Sequence, residues 1–133
     1  MTGRWLIKSE PGTYSWDDLV RDGQTVWDGV RNAQAAQFLR AMRMDDPLLF
    51  YHSGPGAAVV GIATVCGEAV PDPADTSGRF VTVSVAAVRP LARPVTLAAI
   101  RTDARLSGMM MLRQSRLSVS PVSDIEWTAI TGP

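Results

Sequence analysis

Apolar residues in this chain fall into short runs broken by Gly, Pro and Asp, and the spacing inside each run separates strands from helices. Arg4-Trp5-Leu6-Ile7-Lys8 reads as a first strand, ended by Ser9-Glu10-Pro11-Gly12. Ser15 followed by Asp18 is a capping-box pair, so a short helix is expected through Leu19 and Val20, stopping near Gly23. Thr25-Val26-Trp27 is a brief strand. Asn32 is a good N-cap, and Ala35, Ala36, Leu39 and Met42 recur at helical spacing between Ala33 and Met44. After the turn Asp45-Asp46-Pro47, the run Leu48 to His52 reads as a buried strand. Ala57 to Val65 is a long strand, in which Gly61 marks a bend or a close backbone approach.

The second half continues the pattern. Pro71 to Gly78 is the most loop-like segment. Phe80 to Val88 alternates, with Val81, Val83 and Val85 on one face and Phe80, Thr82 and Ser84 on the other. Thr96 caps a helix through Leu97 and Ile100, and Met109 to Leu112 fits either element. Leu117-Ser118-Val119 is a short strand. Ser123 and Glu126 form a second capping box, opening a last helix that holds Trp127 and Ile130. No repeat and no regular βαβ rhythm is visible. The expected fold is α+β, a single domain over residues 1–133, with a curved and mostly antiparallel sheet whose openings are covered by short helices.

Composition narrows the function. A chain of 133 residues with 46% apolar content can bury roughly 65–70% of its unfolded surface. Thirteen basic and thirteen acidic side chains cancel. That argues against coating nucleic acid through bulk charge, which needs an array of cations, but leaves room for a pocket that reads one nucleotide. Lys8 is the only lysine; the other cations are arginines, whose forks suit phosphates and base edges. Cys66 stands alone, so an intrachain disulfide is excluded and a cysteine metal site has no partners. Neither a cofactor nor a metal is expected. No cationic-then-apolar leader and no apolar run of membrane length is present, so the expectation is a cytoplasmic protein without membrane contact.

Candidate chemistry concentrates in Val26-Trp27-Asp28-Gly29-Val30-Arg31-Asn32. Trp27 offers a flat stacking face, and Asp28, Arg31 and Asn32 offer hydrogen bonds to a planar polar ligand such as a flipped nucleobase. Ser9 ends a strand, where a hydroxyl and a backbone amide can meet a base edge. Two roles stand open at several positions. Asn32 fits a helix cap as well as a pocket wall, and Trp27 fits a core aromatic as well as a stacking floor. Glu10 and Asp28 fit pairing with Lys8 and Arg31 as well as ligand contact. Tyr51 and His52 alternate on a strand, so one faces the core and the other a pocket. Arg113 and Arg116, with Arg31, are candidates for phosphate contacts. A hydrolase using His52 with Ser53 or Asp28 is the weakest reading, because neighbours on a strand point to opposite faces.

Five ordered blocks carry a resemblance to a known family. They are Trp5-Leu6-Ile7-Lys8-Ser9-Glu10-Pro11, Val26 to Asn32, Phe50-Tyr51-His52-Ser53, Gly61-Ile62-Ala63, and Leu112 to Val119. In this order the chain resembles the EVE domain family, a branch of the PUA-like superfamily that also includes YTH and ASCH domains. The resemblance implies a PUA-like pseudo-barrel and a non-catalytic role as a binder of DNA or RNA carrying a modified base, for example a methylated or hydroxymethylated cytosine. It implies a base pocket drawn from Lys8, Ser9, Glu10, Trp27, Asp28, Arg31, Asn32, Tyr51 and His52, flanked by Arg113 and Arg116. An RNA-binding protein of the broader PUA type, without modification specificity, is the alternative. Many relatives carry Tyr and Arg where this chain has Ala33 and Ala36. The Ser53 to Gly56 loop and the Pro71 to Gly78 segment are short here, and Phe80 stands about where a Trp is often found. These departures imply a more open pocket.

Overall fold

The computed structural model describes residues 3–132. Its strands are β1 (Trp5–Ser9), β2 (Gln24–Trp27), β3 (Pro47–His52), β4 (Ala58–Pro71), β5 (Val81–Thr96) and β6 (Val119–Pro121). Its helices are α1 (Trp16–Asp22), α2 (Ala33–Ala41), α3 (Leu97–Thr102), α4 (Met110–Arg113) and α5 (Asp124–Thr131), with a 3₁₀ turn at Ala104–Leu106. One mixed sheet runs β2-β5-β4-β3-β1-β6. Every neighbouring pair is antiparallel except β1 and β3, which are parallel. Helix α2 packs on β4, β5 and β6 together, so the sheet curls and α2 closes the gap towards its β6 edge. This is the expected α+β architecture of an open, PUA-like pseudo-barrel.

Two cores lie on opposite faces of the sheet, and strand alternation assigns residues to them. Trp5, Ile7, Leu48 and Phe50 face a core shared with Trp16, Leu19, Leu39, Val83 and Val85. Leu6, Leu49 and Tyr51 face a second core with Ile62, Ile100, Met109, Met111 and Ile130. Strands β1 and β3 therefore read as unbroken apolar runs, since both of their faces are covered.

Local chemistry sets most boundaries. Ser15 and Asp18, and Ser123 and Glu126, form the two reciprocal capping boxes, while Asn32 and Thr96 cap α2 and α3. Gly23 closes α1 at φ 78°, a left-handed conformation that glycine adopts without a Cβ penalty. Helix α2 stops at Ala41, three residues before the expected Met44. The reason is Asp46, whose carboxylate accepts the Arg43 amide at 3.0 Å and the Trp5 indole N–H at 3.0 Å. Strand β5 runs well past the expected Val88. Its register on β4 jumps from Val59–Val95 to Gly61–Pro90, so residues 91–94 bulge opposite Val60 and Pro94 is spared a place in the ladder. The last strand begins at Val119 rather than Leu117, whose amide closes a turn on the Gln114 carbonyl.

Candidate functional site

A cleft of about 630 Å³ opens between the end of β1, the turn that follows it and the segment from β2 to Arg31. That volume suits a small-molecule site. Lys8, Ser9 and Glu10 form one wall and Asp28 to Arg31 the other, with Thr13, Tyr14, Thr25, Val26, Trp27 and Ser118 completing it. Two segments far apart in sequence meet here because β1 lies near one end of the sheet and β2 at the other, and the curl brings the ends together.

Trp27 is the last residue of β2, paired with Val83. Its indole is half-buried. It stands edge-on to Phe50 at 5.8 Å and to Tyr14 at 6.3 Å between ring centroids. The ring is thus held from behind by the core while it lines the cleft. Tyr14 gives the cleft a second aromatic side chain, and its hydroxyl donates to Asp22 at 2.8 Å. Ser9, 8% exposed, spends its hydroxyl proton on the Tyr14 carbonyl and keeps its oxygen lone pairs for a donor.

Two cations belong to the cleft. Lys8 Nζ donates to the Ser115 carbonyl at 3.0 Å, not to Glu10. Burial pulls its ammonium below the ordinary lysine value. Arg31 is paired with Asp72 at 2.9 Å, not with Asp28. Asp72 is 3% exposed and also accepts the Ala74 and Gly29 amides. The Ala74 amide first, then the Arg31 guanidinium, hold its carboxyl below the usual carboxylate range. Arg31 also lies over Phe80, with its guanidinium carbon 5.4 Å from the ring centroid. Glu10 and Asp28 are exposed at the rim.

The remaining expected site residues stand outside this lining. Asn32 follows Arg31, is exposed, and uses its side-chain oxygen to cap α2 at the Ala35 amide, 2.9 Å away. Tyr51 turns to the second core and His52 to α1, so strand parity separates the pair but turns neither ring into the cleft. Arg113 and Arg116 are exposed at either end of the segment that contains Ser115, which holds the Lys8 ammonium. Sequence reasoning missed Thr13, Tyr14 and Ser118. The signal for the first two was the tight Pro11-Gly12 turn just after Ser9; for Ser118 it was the fold-level pairing of the Lys8 amide with the Ser118 carbonyl at 2.9 Å.

His52 has a structural task. Its Nε2 accepts the Trp16 amide at 2.9 Å, the first N–H of α1. That engages the ring nitrogen a hydrolase would need for Ser53, whose own hydroxyl points to the Ser9 carbonyl. Burial lowers the His52 pKa below its ordinary 6.5. The unfolded chain therefore binds this proton more readily than the folded one. The stability carried by the neutral ring is complete above pH 6.5 and is lost as pH falls through the depressed folded value. Thermal melts from about pH 7 to about pH 5 should show an acid-side fall in melting temperature that shrinks in His52→Gln, where an amide oxygen accepts the same N–H without titrating. An unchanged acid-side fall in that variant rejects this role.

Among the described residues no three His, Cys, Asp or Glu side chains gather as a metal set. No described helix is long and apolar enough to cross a membrane.

A family model for the EVE domain matches residues 3–132. Human thymocyte nuclear protein 1 is 31% identical, over 96% of this chain and 72% of that protein. A structure of a Rhodopseudomonas palustris protein superposes with a TM-score of 0.92 at 46% identity, over 98% of this chain and 91% of the other. The human THYN1 protein, in complex with 5-methylcytosine-containing DNA, superposes with a TM-score of 0.88 at 30% identity, over 96% and 95% of the two chains. An ASCH protein from Zymomonas mobilis shares the fold, with a TM-score of 0.57 at 10% identity over 96% and 95%.

Proposed function

The chain belongs to the EVE domain family, and from that membership and the cleft geometry we propose that it is a non-catalytic module that binds nucleic acid by receiving a modified base on Trp27. The carrying observation is the half-buried indole, backed by Phe50 and lining a hollow whose walls supply hydrogen-bonding groups. A base stacks on the Trp27 ring. Ser9, Asp28 and Arg31 meet its polar edge, Glu10 and Lys8 stand at the wall, and the Asn32 amide nitrogen reaches the rim. Arg113 and Arg116 hold the strand beside the cleft. A related human protein has been crystallised with 5-methylcytosine-containing DNA, which supports a methylated cytosine in DNA as the first ligand to try.

Discrimination by one methyl group has a known scale. An added methylene filling an apolar site is worth about 1–3 kcal/mol, or roughly 10- to 200-fold in affinity. Fluorescence polarisation with a labelled duplex carrying one 5-methylcytosine is expected to show binding at least about tenfold tighter than with the unmodified duplex. Equal affinity for the two, with RNA of the same sequence bound as well or better, supports the broader RNA-binding reading instead.

A further inference from the structure

A second hollow lies beside the first, lined by Gly54, Gly56, Ala57, Thr96, Leu97 and Arg101. Resting on the base-reading role argued above, we propose that this hollow holds a phosphodiester group of the strand whose base enters the Trp27 cleft, with Arg101, Lys8 and the Tyr51 hydroxyl as its donors.

The two hollows share a rim. Ser9 of the cleft accepts the Ser53 amide at 2.9 Å through its backbone carbonyl, and the next residue, Gly54, already lines the second hollow. From there the Ala57 amide reaches the Gly54 carbonyl at 3.1 Å, and the Leu97 amide reaches the Ala57 carbonyl at 2.9 Å, which fixes α3 and its Arg101 against the same loop. Tyr51 lies between the two sites. It is the register partner of Lys8 in the parallel β1–β3 pair, and the Lys8 ammonium stands 5.8 Å from its ring centroid. Burial pushes the Tyr51 hydroxyl pKa up, and the positive charge of Arg101 pulls it down from the other side. Two cations thus flank one phenol, and among the described residues that hydroxyl has no hydrogen-bond partner and Arg101 no acidic partner. The neighbouring Arg105 differs, since it is tied to Asp103 at 2.7 Å. A monoanionic phosphodiester is the ligand that a guanidinium, an ammonium and a phenol favour together, because each donates and none accepts a competing charge. The low bulk of Gly54, Gly56 and Ala57 leaves room for the sugar-phosphate chain.

The test measures the salt dependence of binding for wild type, Arg101→Ala and Arg105→Ala, using a labelled duplex with one 5-methylcytosine, and the affinity of each for 5-methyldeoxycytidine, which has no phosphate. Arg101→Ala is expected to weaken duplex binding and to reduce the slope of log K against log salt by about 1, the signature of one lost phosphate contact. Nucleoside binding should stay unchanged. Arg105→Ala removes the same net charge and should leave the slope where it was. Wild-type binding with an unaltered slope in Arg101→Ala, or an equal fall in Arg105→Ala, overturns the phosphate site and spares the base-reading role. Failure of the wild type to bind duplex and nucleoside alike overturns that role and the phosphate site with it.

Discussion

Gly61→Val is expected to lower the melting temperature by roughly 10 °C or more, since overpacking costs typically about 1–3 kcal/mol for small additions and rises with bulk, at roughly 3–5 °C per kcal/mol for a chain of this size. The cause is steric. A Cβ on Gly61 would sit 2.6 Å from the Trp16 ring, well inside van der Waals contact. Trp16 has nowhere to retreat. It is 6% exposed, stands edge-on to Phe50 at 5.5 Å between centroids, and its amide is tied to His52. Gly61 itself pairs with Phe50 on β3 and Pro90 on β5, so the sheet cannot yield either. Gly61→Ala should show a smaller loss, and Trp16→Phe placed on Gly61→Ala should restore part of it, because the smaller ring vacates the contested space. Circular dichroism melts of the four proteins measure the coupling. A Gly61→Val protein that melts within a degree or two of wild type rejects the close-approach account.

That contact shows what local reading of a chain reaches. A glycine among Val, Ile and Ala announces a bend or a close approach, yet the ring that approaches is 45 positions earlier in the chain, counting from Trp16 to Gly61. Caps behave differently. Ser15, Asn32, Thr96 and Ser123 each bond an amide three residues away, so four helix starts were legible from short-range chemistry. Helix ends and long strands were less so. Asp46 ends α2 from across a turn, and the outer arm of β5 is masked by Pro90 and Pro94, which read as breakers until the bulge against β4 accommodates them. The cleft divides in the same way. Lys8, Ser9, Glu10, Trp27, Asp28 and Arg31 sit in two compact blocks of mixed chemistry, and the fold brings those blocks together. Tyr14 hides in a turn, and Asp72 meets Arg31 from inside a loop 41 residues on. Arg31 had two carboxylates to choose from. The nearer in sequence, Asp28, lost because Asp72 is buried and already aligned by two amides.

Trp27→Ala is expected to weaken binding of a 5-methylcytosine duplex by roughly 5- to 150-fold, since base stacking on an aromatic side chain is worth about 1–3 kcal/mol and each 1.4 kcal/mol is tenfold. The figure matters because extruding a base from a duplex costs a few kcal/mol. Stacking on Trp27 therefore roughly offsets extrusion, and net affinity must come from the wall and from phosphate contacts. Losing the indole tips that balance, so the flipped state itself becomes unfavourable. The variant also loses packing, because the ring touches Phe50 and Tyr14. A fully buried tryptophan costs about 3–5 kcal/mol on truncation, and a half-buried one roughly half of that. Binding must therefore be measured well below the melting point of the variant. Trp27→Phe separates the two effects, because a phenyl ring keeps a stacking face and most of the contact with Phe50. It should retain the greater part of both affinity and stability. The ratio of affinities for modified and unmodified duplex carries the sharpest information. It should fall towards one in Trp27→Ala, where the methyl group loses the surface it is packed against, and survive in Trp27→Phe. A Trp27→Ala protein that is folded and still prefers the methylated duplex to the wild-type degree would place the reading surface elsewhere in the cleft, on Tyr14 or the Asp28–Arg31 wall.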